Sequence, residues 1–495
     1  MEANNNLDPV PPDILFIQPP YFRETRGLNS VVPSLGLSYL TSALSQSGFS
    51  SKILDLEASR IQFYQGIGKC SRQRAFLRTV ARSYPRSHLI GIGPVLTLYF
   101  RQVQSIATLL KQHFPDCKII MGGPHFPRSP AEGYPCTLLE QCPEIDFILS
   151  GYGELSLPLM LQHFYQNRPL NEVPGLHFRE STQWNCGPPP KPLPSLDLLP
   201  SPSRSWYLES PKTEHSYFMV PKRSLGARSV PMLASRGCPY GCVFCSSART
   251  TRSIRSPQPI VAEMEMLYRT YGISRFIFFD DLFVGRTRAE KERMVEFCQR
   301  LQEKALPFSW EIDLRADVAH YLGVDVLRQM IHAGLKIVNL GLESPDSETL
   351  EAFDKHLKQD DILKAIQTLR DSGEITICGT FILGGEQQTP QEIYQLIDFA
   401  IRLGLDYASF NPLVIHTNRL FQQTSPQNQY RLGSRIGVRS PHLSVRQIQY
   451  YLRLAYQRFY FRSDRIRHKL KRIKNLRDAL AFVREYVYYF RHAYL

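Results

Sequence analysis

The chain of 495 residues holds no apolar run long enough to cross a bilayer. Its longest nearly apolar stretch, Leu89 to Phe100, is interrupted by glycine, proline and threonine and falls far short of the roughly 20 residues a spanning helix needs. It also lacks the cysteine spacing of a disulfide framework. Cys70, Cys117, Cys136, Cys142, Cys186, Cys298 and Cys378 are scattered without a repeat, which points to a reducing compartment. The first twelve residues carry two acids, no basic side chain and three consecutive asparagines, so they do not read as a signal peptide. Residues 1–12 are expected to be a disordered N-terminus and the protein to be cytoplasmic. No G-x-G-x-x-G with a helix start and a distal acid follows a strand pattern, which disfavours a nicotinamide dinucleotide. Internal repeats are absent too. With 43% hydrophobic and 21% charged residues the composition is that of a globular protein, and the length suggests roughly two to four domains.

The formal charge of +14 is local. From Arg446 to Arg491 there are thirteen Lys or Arg against three acids, interleaved with Tyr450, Tyr451, Tyr456, Phe459, Tyr460, Phe461, Tyr486, Tyr488, Tyr489 and Phe490. Such a stretch can grip phosphate or anionic lipid, stack on nucleic acid, or hold an acidic substrate. A solvated amphipathic cap packed on the preceding domain is the preferred reading, and nucleic acid is disfavoured as a partner. Ser444 reads as a helix cap, followed by helices over Gln447–Tyr460, Arg462–Leu476 and Leu480–Tyr494. Residues 426–495 thus read as a basic, aromatic, helical C-terminal domain.

What the chain does have is a cysteine loop, Gly237-Cys238-Pro239-Tyr240-Gly241-Cys242-Val243-Phe244-Cys245. The spacing is C-x3-C-x2-C, one thiolate short of the four that close a 4Fe-4S cubane. Zinc prefers paired C-x2-C units with a second pair of Cys or His, and no such pair lies nearby. An open iron implies chemistry. The loop, with Phe244 before its last cysteine and its Gly-Cys-Pro opening, resembles the signature of the radical S-adenosylmethionine (radical SAM) enzymes. That resemblance implies a cluster on Cys238, Cys242 and Cys245 whose free iron chelates SAM. It also implies an electron donor such as flavodoxin or ferredoxin, and a carbon radical that takes hydrogen from substrate.

Upstream, residues 13–170 alternate strand-like and helix-like patterns. Strands are expected at Asp13–Ile17, Ser51–Leu56, Leu89–Gly93, Cys117–Met121 and Ile145–Leu149, with helices between them, which predicts a parallel sheet covered on both faces. Ligands of such sheets bind beyond the carboxyl ends of the strands. There the chain places Gln18-Pro19, Gly93-Pro94, Gly122-Gly123 with His125, and Gly151-Tyr152-Gly153-Glu154. Taken singly these glycines are ordinary turn punctuation. As a set upstream of the cysteine loop they resemble the cobalamin-binding domain of cobalamin-dependent radical SAM enzymes, which makes Gln18, Pro19, Gly93, Gly122, Gly123, His125, Gly151, Gly153 and Glu154 candidate cobalamin contacts. Two departures stand out. No D-x-H-x-x-G follows the first strand, so cobalt would lack that axial histidine, and Tyr152 stands where the family often carries Glu.

Prolines crowd the stretch after this region, and residues 171–228 read as a Pro-rich connector. From 229 to 425 six strand-helix units predict a partial (β/α)6 barrel, with polar residues at the strand ends where barrel sites lie. By the resemblance, Asp281, Arg315, Glu343, Ser344, Gly384 and Gly385 sit where relatives contact SAM or substrate. Their structural alternatives are a helix cap for Asp281, an ion pair for Arg315 and a turn for Gly384-Gly385. The chain therefore reads as an α/β protein with a Rossmann-like cobalamin domain, a radical SAM barrel and a helical C-terminal domain. The resemblance implies methylation of an unactivated carbon of a small molecule. Its alternatives are radical cyclisation or rearrangement with the same cofactors and, more remotely, an iron-sulfur RNA-binding protein.

Overall fold

The computed structural model describes residues 11–20, 33–56, 70–86, 88–96, 100–126, 142–180, 183–209, 229–386, 388–414, 427, 429–432, 435–471 and 473–494. Most of the segment expected to be disordered, residues 21–23 of the first strand's loop, residues 210–228 of the expected connector and residues 415–425 at the barrel's end lie outside the described residues. The chain divides into two compact units, one built mainly on Ser34–Pro192 and the other on Tyr217–Leu495.

The first unit is a sheet of seven strands, β1 Ile14–Gln18, β2 Ser51–Asp55, β3 Leu89–Ile92, β4 Lys118–Gly122, β5 Phe147–Leu149, β6 Leu176–Glu180 and β7 Gln183–Cys186. Their order is β2-β1-β3-β4-β5-β6-β7, with β1 to β5 parallel and β6 and β7 antiparallel. Every residue of β1, β3 and β5 is buried, because helices cover both faces. Side chains alternate between the faces. Leu15, Ile17, Ile90, Ile92, Ile119 and Met121 pack with Val103, Ile106 and Leu110 of the helix Phe100–His113. Ile14, Phe16, Leu89 and Ile120 pack instead with Leu37 and Leu44 of the helix Leu35–Gln46 and with Met160 and Leu161 of the helix Gly153–Tyr165. The order reverses between β1 and β3, and a doubly wound sheet takes its ligand at such a switch point, beyond the carboxyl ends.

Part of the stretch read from sequence as a connector is a hairpin of this sheet. The prolines crowd together only from Pro188 onward, and β6 before that cluster alternates buried Leu176 and Phe178 with half-buried His177 and Arg179, the pattern of a strand with one covered face.

The second unit holds a six-stranded parallel sheet. Its strands are β8 Ser229–Met232, β11 Arg275–Phe278, β12 Ser309–Arg315, β13 Leu335–Glu343, β14 Thr376–Leu383 and β15 Tyr407–Pro412, and they neighbour one another in chain order. Between them run the helices Pro257–Tyr271, Arg288–Lys304, Ala316–His332, Gln359–Ser372 and Pro390–Arg402, the strand-helix alternation of a partial barrel. Thr287 and Thr389 cap two of these helices through their hydroxyls, at Glu290 and Glu392. Two short antiparallel pairs are additions that the sequence patterns do not announce, β9 Ser235–Arg236 with β10 Ser253–Ile254, and β16 Gln429–Leu432 with β17 Arg435–Val438.

Three helices, Val445–Tyr460, Ser463–Lys471 and Leu476–Tyr494, complete the unit. Ser444 caps the first through a reciprocal pair with Gln447. Tyr460 is fully buried, and its hydroxyl donates to the Ala408 carbonyl at 2.6 Å and accepts the Ala408 N–H at 2.9 Å. One side chain thereby satisfies both backbone groups of Ala408 on β15, an edge strand with no strand beyond it among the described residues.

Candidate active site

Because the six strands of this sheet are parallel, their carboxyl ends lie along one edge, and the cysteine loop leaves β8 at that edge. Acceptors from the next strand shape it. Asp280, just past β11, takes the N–H groups of Ala234, at 3.0 Å, and Ser235, and burial pushes its carboxyl up to about 7. Asp281 accepts the Gly237 N–H at 2.7 Å and the Ser247 hydroxyl, so one carboxylate joins the two ends of the loop. Gly237 has φ +95°, and a Cβ there would lie 2.2 Å from the Thr251 carbonyl oxygen, so only glycine fits. Cys238 and Thr250 close the loop from within: the Cys238 N–H donates to Thr250 Oγ1 at 2.9 Å, and the Thr250 N–H to the Cys238 carbonyl at 2.9 Å.

Each cysteine sulfur faces one donor. Cys245 Sγ accepts the Ser247 N–H at 3.4 Å, Cys242 Sγ lies 3.9 Å from Arg315 Nη1, and the Cys238 thiol is met by the Tyr240 N–H. All three cysteines are free thiols. Burial raises the Cys238 thiol above its ordinary range and pushes that of Cys245 up to about 11, so deprotonation would have to come with metal binding. Among the described residues no three His, Cys, Asp or Glu side chains converge to hold one metal ion. A cubane asks for something else, since each thiolate binds a different iron. Three sulfurs spread along one loop, each with its own N–H, fit that group and do not fit a tetrahedral zinc ion.

The other residues singled out from sequence fall around this loop in different ways. Arg315, the last residue of β12, is held by Asp317 at 3.0 Å and by the Lys355 carbonyl at 2.8 Å, and its guanidinium lies 3.7 Å from the centre of the Tyr240 ring. The expected alternative of an ion pair is therefore present, and it orients the guanidinium toward Cys242. Glu343 ends β13 after a bulge, with φ +63°, and pairs with Lys355 at 2.8 Å while both side chains are buried. A non-glycine residue in that region costs about 1–3 kcal/mol and persists where its surroundings over-determine it. Phe244 meets Phe353 edge-on at 5.5 Å, and Phe353, Ile382, Leu413 and Val438 make an apolar floor under Val243 and Phe244. Gly384 and Gly385 form a turn after β14 whose N–H groups both donate to Gln388 Oε1, at 2.7 and 3.2 Å. Ser344 is buried and accepts the Asp346 N–H within its own turn. Asp281 is no helix cap; its partners belong to the loop.

Lys355, Asp317, Tyr240 and Gln388 were missed. Tyr240 lies inside the motif and was open to notice. Lys355 sits between two helices, where no periodicity marks it.

In the first unit the candidate residues line the carboxyl ends of the sheet. Gln18 ends β1 fully buried, with Oε1 accepting the Ser34 N–H at 3.2 Å and Nε2 without a partner among the described residues. Pro19 follows it, also buried. Ser150, just after β5, is buried with its hydroxyl likewise unmatched there. The glycines have structural reasons. A Cβ on Gly93 would lie 3.0 Å from the Gly122 carbonyl oxygen, one on Gly123 2.4 Å from the Val95 nitrogen, and one on Gly151 2.4 Å from Pro190 Cβ. On Gly122 it would come within 3.3 Å of the Leu149 carbonyl oxygen, and on Gly153 within 3.0 Å of Leu40 Cδ2. His125 is buried with its ring stacked 4.4 Å from that of Phe100, and burial pushes it down to about 4, so the imidazole is neutral. Glu154 is buried in the first turn of its helix, where the helix dipole favours a carboxylate. Two unmatched polar atoms beyond the carboxyl ends of a glycine-packed sheet, Gln18 Nε2 at the switch point and Ser150 Oγ after β5, suit a large ligand rich in amides, which cobalamin is.

Residues 232–400 match the family model of the radical SAM superfamily, and residues 26–161 match that of the B12 binding domain. This chain belongs to the cobalamin-binding radical SAM enzymes. Among relatives of this enzyme, an uncharacterised methyltransferase of Pyrococcus horikoshii is 26% identical over 465 residues, 91% of this chain and 92% of the relative. The anaerobic magnesium-protoporphyrin IX monomethyl ester cyclase of Rubrivivax gelatinosus is 25% identical over 411 residues, 80% of this chain and 67% of the cyclase. The solved structure of the radical SAM methyltransferase TsrM from Kitasatospora setae, with cobalamin and a 4Fe-4S cluster bound, shares the fold at a TM-score of 0.67 and 16% identity, covering 97% of this chain and 98% of that one. No helix of the described residues is long and apolar enough to cross a membrane.

Proposed function

We propose that this enzyme methylates an unactivated carbon of a small-molecule substrate, using a 4Fe-4S cluster, SAM and cobalamin. The observation that carries the reading is the trio of loop thiols, each facing its own donor, on the edge shared with Arg315, Glu343 and the Gly384-Gly385 turn. When bound, the cluster supplies the electron that splits SAM into a hydrogen-abstracting radical, and cobalamin supplies the methyl group.

The protein's share is position. Cys238, Cys242 and Cys245 would hold three irons, and Asp281 holds the loop that carries them. Arg315, fixed by Asp317 and stacked on Tyr240, places a positive charge beside Cys242. Glu343 has one oxygen on Lys355 and offers the other to a hydroxyl of SAM or substrate. The apolar floor of Phe353, Ile382, Leu413 and Val438 keeps water from the loop's inner side. Gln18 Nε2 and Ser150 Oγ are the atoms offered to the periphery of cobalamin. A small one-electron donor of the flavodoxin or ferredoxin kind would reduce the cluster, and the eight free thiols of the described residues suit a reducing cytoplasm.

The test is anaerobic reconstitution with iron, sulfide and hydroxocobalamin, then mass spectrometry of SAM products in the presence of a small-molecule extract. Methyl transfer produces deoxyadenosine and S-adenosylhomocysteine together. Deoxyadenosine alone would overturn methyl transfer in favour of a ring-forming reaction of the kind named for the cyclase relative. RNA binding without SAM cleavage would overturn both.

A further inference from the structure

The helix Leu476–Tyr494 presents an apolar stripe to solvent. Leu476, Leu480, Val483, Val487 and Phe490 are 77%, 49%, 55%, 44% and 50% exposed, five large apolar side chains on one helix where the other exposed ones are scattered over several elements. Their spacing of four, three, four and three residues keeps them on one helical face for about 21 Å. Glu485, Tyr489 and Ala493, on the other face, are buried, with Tyr489 stacked on Tyr460. The stripe is thus the outward side of a helix already docked by its back.

The charge beside the stripe has one sign. Arg467, Lys471 and Lys474, in the chain just before it, are exposed, and their side-chain charges enter no ion pair among the described residues. The sequence puts an arginine directly after Leu476, Val483 and Phe490. The three acids of the segment are engaged already: Asp464 with Arg462 at 3.6 Å, Asp478 with the Lys474 N–H at 3.0 Å, and Glu485 with Lys469 at 3.0 Å. What covers this face must be apolar at its centre and anionic around it.

We infer that the helix Leu476–Tyr494 is a docking surface for an anionic lipid bilayer, on which it lies flat with its stripe in the headgroup boundary. A second copy of the chain would set cations against cations. Nucleic acid satisfies the cations and leaves five aliphatic and aromatic side chains with nothing to bury them. An apolar stripe beside basic residues of one sign is the pattern of an interfacial helix, and the absence of any described helix able to cross a membrane makes the attachment peripheral. This inference does not depend on the methyltransferase reading, since none of its residues belongs to the candidate active site.

The test is co-sedimentation of the full-length, cluster-loaded protein with vesicles of phosphatidylcholine alone and with vesicles containing phosphatidylglycerol. Binding is expected to the second and not the first, weakening by about tenfold at high salt because the cations supply part of the attraction. The exposed double substitution Val483→Asp with Val487→Asp should abolish it while the circular dichroism spectrum stays unchanged. Lys471→Glu with Lys474→Glu should weaken it without touching the stripe. Failure to bind phosphatidylglycerol vesicles overturns the inference. So does a dimer in light scattering that the double aspartate variant dissociates, with no vesicle binding by either form, which would assign the stripe to a second copy.

Discussion

Asp281 ties Gly237, the residue before the first loop cysteine, to Ser247, two residues past the last. A carboxylate in that place decides whether the three sulfurs of the loop are ready for a cluster or must be gathered by it. Asp281→Ala removes the acceptor and leaves two donors unmatched, which costs about 1–3 kcal/mol. Its expected signature is chemical: iron and sulfide bound after reconstitution fall well below the parent's, while Asp281→Asn, which keeps one acceptor, falls between. Parent-level iron in the alanine variant would show that the clamp does not prepare the loop. At this scale the sequence was legible where spacing carries the meaning, as at Cys238, Cys242 and Cys245. It was opaque where a role depends on the partner. Nothing local to Lys355 announces that it meets Glu343, twelve residues away across a turn and a short helix.

At the scale of elements, the strands of both sheets could be read because continuous apolar runs bounded by turn residues mark buried parallel strands. β6 and β7 escaped because the prolines that follow them dominated the reading of the whole stretch, and β16 with β17 because Gln429–Leu432 and Arg435–Val438 lack an apolar run. The helices after Ser444 were legible as helices and ambiguous in purpose. Tyr460 resolves part of that, since its hydroxyl serves both backbone groups of Ala408 on the sheet edge. Tyr460→Phe leaves that N–H and C=O buried and unmatched, with an expected loss of about 1–3 kcal/mol in denaturant unfolding of the second unit. Cluster content should remain at the parent level, because Tyr460 acts on Ala408 of β15, at the opposite end of the sheet order from β8, which leads into the cysteine loop. An unaltered unfolding midpoint would mean that the helices do not seal the sheet through this residue.

At the scale of the molecule, the domain order was readable because two sets of residues, each weak alone, point to cofactors that work together. The glycines at the ends of β3, β4 and β5 are explained by the close approach of backbone or side-chain atoms, and only with the cysteine loop downstream do they imply a B12 binding domain. The substrate is not legible, since nothing in the loop, the strand ends or the sheet edge is specific to one carbon skeleton. Every step of the proposed reaction requires the loop thiols to hold a 4Fe-4S cluster with one iron open to SAM. Electron paramagnetic resonance of the anaerobically reconstituted, reduced protein with and without SAM tests it most directly. The expected result is a reduced-cluster signal whose g-values shift when SAM is added, and no signal when Cys238, Cys242 and Cys245 are all replaced by alanine. A cluster that persists in the triple variant, or a parent signal that SAM leaves unchanged, would contradict it.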